Sequence, residues 1–514
     1  MSTEDPAQPP LREAAARFQA GDFGRAAQLC RELLAQRPDE PEALHLLALV
    51  LHRDGGNAEA LALLEKAARL APQVAGIHYN LGVVLGLFGR WEESVAAYDR
   101  ALALDAGLLH ARNNRSNDLL KLDRPADALA GYEAALMLAP DDPQLLQGAA
   151  SAHAALKQYE QAAVLYRRAL QVTNEPKAHW SLAQVLLMLE DFAGGWDEYA
   201  HRARDTEETN FWQYPFPFPR WRGEPLAGKT LLVHGEQGLG DEIMFASILP
   251  ELLEELGEGG RLLLATQPHL APLFAGSFPR AQVHAQLRYN QGVWVRHPLP
   301  DWARQTPVDY QIACGDLPAL RRREPGAFAW RGPYLHAGAD KAAAWRTALP
   351  ATTGLRVGLC WAANPFLHDR ELARRARKKS LSLAQLAPLF AVPGVSWVGL
   401  QTWEAAQEAR QAGLPLLDVH ERLRDFSDTA ALMANLDLVI SVDTSVAHLA
   451  GAMGKPVWVL LPWAADWRWG RDTPRCRWYP DAELFRQPAP GDWQTVVAAV
   501  RDALAALAAR PGRA

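Results

Sequence analysis

The chain has 514 residues, more than one hydrophobic core usually serves, so two or three domains are expected. Its hydrophobic content of 49% and charged content of 22% are ordinary for a globular protein, and a net charge of -6 argues against nucleic acid as a partner. The four cysteines lack metal-ligand spacing, so we expect neither a disulfide framework nor a metal site. Neither a signal peptide nor a membrane-spanning run is recognisable, and we therefore expect a cytoplasmic protein without a transmembrane segment.

The first part of the chain carries a pattern that repeats every 34 residues. Small residues alternate with leucine and tyrosine at fixed offsets, as at Ser94, Tyr98 and Ala101, and the small residues allow two helices to lie close together. The pattern resembles the tetratricopeptide repeat, in which two antiparallel helices per unit stack into an α-solenoid. We predict five to six repeats over residues 11–208, after a disordered segment at 1–10. Helix-ending residues mark the period at Pro38, Pro72, Ala106, Pro140 and Asn174.

The helical pattern stops at a segment rich in proline and aromatic residues, 209–227, which we interpret as a linker. After it, short apolar or β-branched runs alternate with helical stretches, first over 228–338 and again over 356–490. This alternation predicts two α/β halves with parallel sheets, joined by a second linker at 339–355 and followed by a C-terminal helix at 491–514. Ligands bind such sheets at the carboxyl ends of the strands, so the cleft between the halves is the expected site.

The first candidate site is the glycine loop after the first strand of the α/β region. Gly238 and Gly240 allow a tight turn and the close approach of a ligand, and Asp241 opens the next helix. An aspartate in this position can act as a general base, or it can simply cap the helix. The loop is not a dinucleotide-binding fingerprint, because G-x-G-x-x-G is absent.

The second candidate site lies later in the chain, where a buried strand meets a helix. Asp443, Thr444 and Ser445 occupy this junction, and the free N–H groups and positive dipole end of the helix suit a diphosphate. His448 lies one turn further along and can face the same opening. The alternative interpretation is a capped helix with a buried histidine.

Two further segments place charged or aromatic side chains after a strand. The first, 368–380, holds six Arg and Lys residues that can clamp a phosphate or form a solvated surface. Lys379 is the preferred phosphate ligand, because it directly precedes Ser380, where we expect the next helix to begin. The second segment, 461–487, is rich in Trp and Arg and can line a sugar pocket or form a rigid structural loop.

Together these segments resemble bacterial proteins that join tetratricopeptide repeats to a GT-B glycosyltransferase domain related to the lipopolysaccharide heptosyltransferases, glycosyltransferase family 9. The resemblance implies two Rossmann-like halves, the first on the acceptor side and the second binding the nucleotide sugar. It also implies that Asp241 is the catalytic base and that Lys379 contacts phosphate. Asp443 and Thr444 would bind the donor, with His448 in the same motif. The motifs that carry the resemblance are GEQGLGDEIMFA, CWAANP, SLSLAQLAPL, VDTSVAHLAGAMGKPVWVLLP and DWRW followed by WYPDAELFRQ.

The resemblance implies an inverting glycosyltransferase that moves a sugar from a nucleotide-sugar donor to an acceptor, with no metal ion or bound cofactor. We expect a protein acceptor such as flagellin, recruited by the repeats, because related enzymes join repeats to the same transferase fold. Asn80, Asn113 and Asn114 lie near first-helix positions of their repeats and are candidates for binding a peptide in the concave groove, or else ordinary solvated residues. The contrasting interpretation of the chain is a repeat scaffold whose transferase-like domain binds a nucleotide or glycan without catalysis.

Overall fold

The structure, a computed structural model, falls into two compact units, Met1–Asn174 and Glu175–Ala514. Among the residues it describes, no helix is long and apolar enough to cross a membrane. Of the predicted linker at 209–227, the part from residue 216 onward is described, and of the predicted disordered segment at 1–10, Gln8 to Pro10 already belong to the first helix. The described residues are 8–204, 216–286, 300–365, 370–402 and 405–510.

The first unit is a succession of antiparallel helix pairs, as the tetratricopeptide pattern predicts. Each residue that marks the 34-residue period, from Pro38 to Asn174, lies in a turn or loop after the second helix of a pair. The helices are α1 (Gln8–Gln19), α2 (Phe23–Gln36), α3 (Pro41–Arg53), α4 (Asn57–Leu70), α5 (Ala75–Leu87), α6 (Trp91–Leu104), α7 (Leu109–Lys121), α8 (Pro125–Leu136), α9 (Pro143–Ala155) and α10 (Tyr159–Val172).

Glycines explain how neighbouring helices of the first unit approach each other. A Cβ atom on Gly82 would lie 2.6 Å from Cε1 of Tyr98, and one on Gly148 would lie 2.3 Å from Cε1 of Tyr132. Both tyrosines are buried, so their rings fill the space that the glycines leave open. The packing of small against large residues is the one that the repeat pattern predicts.

The second unit begins with one more helix pair, α11 (Pro176–Met188) and α12 (Phe192–Tyr199), which the sequence pattern groups with the solenoid. Its side chains bond into the α/β region. The indole N–H of Trp196 donates to the carbonyl oxygen of Arg322 at 2.8 Å, and Arg323 pairs with Asp197 at 2.7 Å. The contacts therefore place the boundary between the units before this pair, at Asn174.

The first half of the α/β region has a four-stranded parallel sheet in the order β3-β2-β1-β4. The central strands β1 and β2 are buried at all residues except Arg261, as is typical of parallel sheets, whereas the edge strand β3 is half-exposed. The strands are β1 (Thr230–His234), β2 (Arg261–Thr266), β3 (Ala281–Ala285) and β4 (Tyr310–Ala313), and the helices are α13 (Leu239–Phe245), α14 (Leu249–Leu256), α15 (Ala271–Ser277), α16 (Asp301–Gln305) and α17 (Leu317–Arg321).

The second half has a six-stranded parallel sheet in the order β10-β9-β8-β5-β6-β7. The protein is therefore an α-solenoid followed by the two Rossmann-like halves of a GT-B fold. The strands are β5 (Leu355–Cys360), β6 (Val395–Gly399), β7 (Leu416–Leu417), β8 (Leu438–Val442), β9 (Val457–Leu461) and β10 (Ala482–Arg486), and the helices are α18 (Ala339–Ala348), α19 (Arg370–Lys378), α20 (Leu383–Leu386), α21 (Ala406–Gln411), α22 (Phe426–Met433), α23 (Ser445–Ala452) and α24 (Trp493–Ala508).

Two segments at the borders of the second half are helical. Much of the predicted linker at 339–355 forms α18, which is tied to α22 by the ion pair of Lys341 with Asp428. The expected C-terminal helix forms as α24, and its residues Trp493 and Leu504 lie in the core of the second sheet. Both helices are thus part of the packed domain rather than extensions from it.

Candidate active site

Side chains from both halves meet at the carboxyl ends of their strands. Asp241 follows β1 in the first half, and Lys379, Asp443 and Arg468 follow β5, β8 and β9 in the second half. Arg468 bonds to Asp241, and Lys379 bonds to Asp443. The structure thus brings Asp241 against Arg468 and Lys379 against Asp443, and the sequence analysis includes Arg468 only as part of the segment 461–487.

Asp241 lies in the first turn of α13, but it is not the cap of that helix. Gly238 is the N-cap residue, and Asp241 reaches back so that its Oδ2 accepts the N–H of Gly238 at 3.0 Å. Its other oxygen, Oδ1, accepts a hydrogen bond from Nε of Arg468 at 2.8 Å. Asp241 therefore serves the start of α13 as the third residue of a capping box and not as the N-cap itself, while its other oxygen is bonded to Arg468.

Gly240 provides room for a histidine ring of the second half. A Cβ atom at this position would lie 2.8 Å from Cδ2 of His448 and 3.6 Å from Cα of Ser445. The close approach that the glycine loop predicts is thus made, in this structure, by α23. The two helices that follow β1 and β8 contact each other at this point.

His448 is buried, with 4% of its surface exposed, and packs among aromatic side chains. Its Nδ1 lies 3.0 Å from the hydroxyl oxygen of Tyr479, and its ring stacks on Trp469 at 4.8 Å between centroids. Burial lowers the pKa of His448 to about 4, although Asp443 opposes the shift, so the ring is neutral at neutral pH. This position fits the buried-histidine interpretation.

Asp443 is held from two sides in the second half. Lys379 Nζ lies 3.2 Å from its Oδ2, and the indole N–H of Trp469 donates to its Oδ1 at 2.8 Å. Burial acts to raise the pKa of Asp443, but the charge of Lys379, together with the hydrogen bond from Trp469, acts in the opposite direction and the net shift is downward. The group is therefore a carboxylate with a cation beside it.

Lys379 directly follows α19, and its side chain reaches Asp443. The helix that comes next, α20, begins at Leu383 with Ser382 as its N-cap, not at Ser380 as expected. On α19 itself, Glu371 pairs with Arg374 and Arg375, and Arg374 is the main cause that lowers the pKa of Glu371 to about 2. The first two residues of the predicted basic segment, 368–369, lie outside the described residues.

The helix after β8 begins at Ser445, as the sequence predicts, and Thr444 is its N-cap. The Thr444 side chain makes no capping bond, and its Oγ1 lies 3.1 Å from Oγ of Ser441 at the end of β8. Thr444 and Ser445 are both half-buried beside Asp443. A hydroxyl and helix N–H groups therefore lie next to the Lys379–Asp443 pair.

Arg468 joins the two halves. It lies in a short turn after β9, with 13% of its side chain exposed, and its Nη1 contacts Oδ1 of Asp466 at 2.6 Å. Its guanidinium also lies over the ring of Trp467, 4.5 Å from the centroid. Burial acts against the charge, but Asp241 and Asp466 outweigh it and raise the pKa of Arg468 well above its ordinary value.

A buried ion-pair network behind the glycine loop is absent from the sequence interpretation. Arg202, which follows α12, is fully buried and pairs with Glu236 of the loop and with Asp316, the latter at 2.8 Å. A Cβ atom on Gly315 would lie 2.2 Å from Oε1 of Glu236, so the network fits only against a glycine. Two polar residues, Glu236 and Gln237, between glycines could have indicated a buried polar site from the sequence. Their partners Arg202 and Tyr199 could not be predicted, because they are more than 30 residues away along the chain.

His179, Glu198 and His201 form a cluster. His179 lies near the start of α11, Glu198 near the end of α12, and His201 in the turn that follows α12. Their ligand atoms are within 4.8 Å of one another, and the two imidazole rings stack with centroids 3.8 Å apart and planes 15° apart. Near-parallel rings direct their in-plane lone pairs side by side, whereas the ligands of one ion converge on it. The arrangement is that of two stacked histidines, of which His179 is bonded to Glu198.

The three asparagines of the predicted acceptor groove lie on first helices of their repeats, α5 and α7. All three are half-buried. Asn80 donates to the carbonyl oxygen of Gly76 at 2.9 Å and contacts Nε2 of His45 at 2.8 Å. Asn114 bonds to Tyr98. Binding of a peptide by Asn80, Asn113 and Asn114 stays a prediction.

Comparisons with known proteins agree with this architecture. A tetratricopeptide repeat model matches residues 11–75, 53–108 and 113–178, and the glycosyltransferase family 9 (heptosyltransferase) model matches 415–461, which includes Asp443 and α23. Protein FlbA of Caulobacter vibrioides is 32% identical over 512 residues, which cover 95% of this chain and 78% of FlbA. The chain belongs to the FlbA family. It combines tetratricopeptide repeats with a region of glycosyltransferase family 9.

Two solved structures are similar to part of the chain. YrrB, described as a TPR protein with an unusual peptide-binding site, is 20% identical, with a TM-score of 0.32, and the match covers 34% of this chain and 89% of YrrB. PilF of Pseudomonas aeruginosa is 19% identical, with a TM-score of 0.35, and the match covers 40% of this chain and 93% of PilF.

Proposed function

We propose that this FlbA relative is an inverting glycosyltransferase that moves a sugar from a nucleotide-sugar donor to a protein acceptor. The observation that carries the proposal is that Asp241 of the first half bonds to Arg468 of the second half, next to the start of α23, while the neighbour of Arg468, Trp469, bonds to the Lys379–Asp443 pair. The family 9 match over 415–461 includes Asp443 and the start of α23. A carboxylate that faces a cation and a helix N-terminus suits transfer from a diphosphate.

In the proposed reaction, an acceptor hydroxyl attacks the anomeric carbon on the face opposite the leaving group. The bond from that carbon to the diphosphate oxygen breaks, and the nucleoside diphosphate leaves with the bonding electron pair. Asp241 takes the hydroxyl proton as general base and later releases it to solvent. Lys379, Thr444 and the N–H groups at Ser445 stabilise the charge on the diphosphate, so the proposal needs no metal ion or cofactor.

We further propose that the solenoid recruits the acceptor, and that the acceptor is a protein such as flagellin. Stacked helix pairs present an extended concave surface that suits a peptide. Asn80, Asn113 and Asn114, on first helices of their repeats, are the candidates for bonding to the peptide backbone. Their amide groups both donate and accept hydrogen bonds, as peptide groups require.

The test of this function compares the wild-type protein with Asp241→Asn. UDP-, GDP- and ADP-sugars are screened by thermal shift, and the donor that binds is assayed for hydrolysis, with water as acceptor, and for transfer of labelled sugar to purified flagellin. We expect both rates to fall by about 100-fold or more in Asp241→Asn, because an amide takes no proton. Asp472→Asn is the matched control, since its carboxyl is 63% exposed in the loop after β9.

Two results would contradict the proposal. A normal rate in Asp241→Asn would show that the base lies elsewhere in the cleft. The absence of a melting shift with every nucleotide sugar would refute the donor class, because a ligand at 100 times its dissociation constant stabilises by about 2.7 kcal/mol.

The second candidate function is a repeat scaffold that binds a nucleotide or glycan without catalysis. The ion pair between Asp241 and Arg468 favours it, because the guanidinium occupies the oxygen of Asp241 that would otherwise face the acceptor. The same assay separates the two functions. A scaffold binds the nucleotide sugar, but neither hydrolyses it nor transfers the sugar.

A further inference from the structure

The ion pair between Asp241 and Arg468 joins the proposed base to a cation of the other half. Two guanidinium nitrogens contact the same carboxylate oxygen, Nε at 2.8 Å and Nη2 at 2.5 Å. The other oxygen of Asp241 accepts the N–H of Gly238. Both oxygens are thus engaged in this structure, and Arg468 occupies the one that is turned toward the second half.

Asp466 anchors Arg468 within the second half, and this contact does not use the guanidinium edge that is bonded to Asp241. Asp466 Oδ1 accepts from Nη1 of Arg468 at 2.6 Å and from its backbone N–H at 3.1 Å. The turn and one edge of the guanidinium are therefore held within the second half. The Nε and Nη2 edge, which meets Asp241, has the planar geometry that also fits two oxygens of a phosphate.

The anion that could replace Asp241 would bind next to this turn. Trp469, the residue after Arg468, donates its indole N–H to Asp443, and the other oxygen of Asp443 contacts Lys379. The proposed diphosphate site at Lys379 and α23 is therefore linked by adjacent residues to the guanidinium. A diphosphate there would place two negative charges near a cation that is shared by two carboxylates.

We propose that Arg468 exchanges one anion for another: it holds Asp241 when no donor is bound, and it moves to the donor's diphosphate when the donor binds. The exchange neutralises the leaving group and frees the base in a single movement, so the nucleotide sugar itself activates the enzyme. This inference rests on the proposed function. It also explains how a base can be retained in a chain whose structure shows it paired with an arginine.

The test is a double-mutant cycle read by calorimetry, with UDP, GDP and ADP as probes. Asp241→Asn removes the competing anion, so it should bind the recognised diphosphate about tenfold more tightly than wild type. Arg468→Gln should bind it about 10- to 100-fold more weakly, since a charge-assisted bond to phosphate is lost. In the Arg468→Gln background, Asp241→Asn should change the affinity by less than about twofold, because there is no cation left to release.

Arg471→Gln is the matched control, because it removes the same charge from the same loop and its side chain is 37% exposed. Its affinity should change by less than about threefold. Circular dichroism establishes that each variant is folded, and Asp241→Asn gives a decisive result even if Arg468→Gln does not fold.

Three outcomes overturn the inference. Asp241→Asn that binds the diphosphate no more tightly than wild type shows that the ion pair does not compete with the ligand. Additive effects in the double variant show that Arg468 and Asp241 act independently. If no nucleoside diphosphate binds to wild type, the proposed function fails and the inference fails with it. If a nucleoside diphosphate binds to wild type but the effects of the two substitutions are independent, only the inference is refuted.

Discussion

The buried pair of Arg202 and Glu236 ties the segment after α12 to the glycine loop, and its strength can be tested with Arg202→Met. Both side chains are fully buried, and Arg202 also contacts Asp316. Methionine is long and unbranched and fills much of the arginine's volume, so the main effect is the loss of the guanidinium charge.

The cost can be worked out from the partners that remain. Asp316 keeps Arg220, whose Nη2 lies 2.7 Å from its Oδ2, so the uncompensated charge in the variant is that of Glu236. Leaving one member of a buried ion pair alone costs about 3–5 kcal/mol. At about 2 °C per kcal/mol, the lower end of the range for large domains, the melting temperature of the second unit should fall by about 6–10 °C.

The assay is differential scanning calorimetry of the full chain. Adding Glu236→Gln to Arg202→Met should restore most of the loss, because the amide carries no charge. Arg477→Met is the control, since its pair with Glu190 is 41% and 34% exposed and should contribute less than about 1 kcal/mol. The reasoning is refuted if Arg202→Met melts within about 2 °C of wild type, or if the second substitution restores nothing.

Two further predictions concern the start of α23. Burial lowers the pKa of His448 from 6.5 to about 4, so the unfolded chain binds one more proton between these values and stability should rise with pH across this window, by up to about 3 kcal/mol. His448→Gln should flatten this dependence when melting is followed from pH 4 to 7, and equal slopes in the two proteins would contradict it. Thr444→Val should weaken nucleoside diphosphate binding by about 5- to 10-fold in calorimetry, because a hydroxyl is lost at nearly constant volume. An unchanged dissociation constant would remove Thr444 from the phosphate site.

The sequence by itself determined the architecture and the neighbourhood of the candidate site. The 34-residue period predicts helix pairs because small-against-large packing, as between Gly82 and Tyr98, recurs at fixed offsets. The alternation of apolar runs and helical stretches predicts the two parallel sheets. Because ligands bind parallel sheets at the carboxyl ends of the strands, residues that follow strand ends, such as Asp241 in the first half and Asp443 in the second, can be chosen as candidates without coordinates.

Only the tertiary structure decided which side chains in that cleft are partners. Arg468 lies 227 residues from Asp241, and no local period encodes their contact. The same holds for Gly240. The sequence predicts that it allows a ligand to approach closely, whereas in the structure the ring of His448 occupies the space next to it. Local patterns fix where elements begin and which face they bury, whereas the pairing of charges depends on how two separately formed halves pack against each other. The partner of the proposed base is therefore a property of the folded domain.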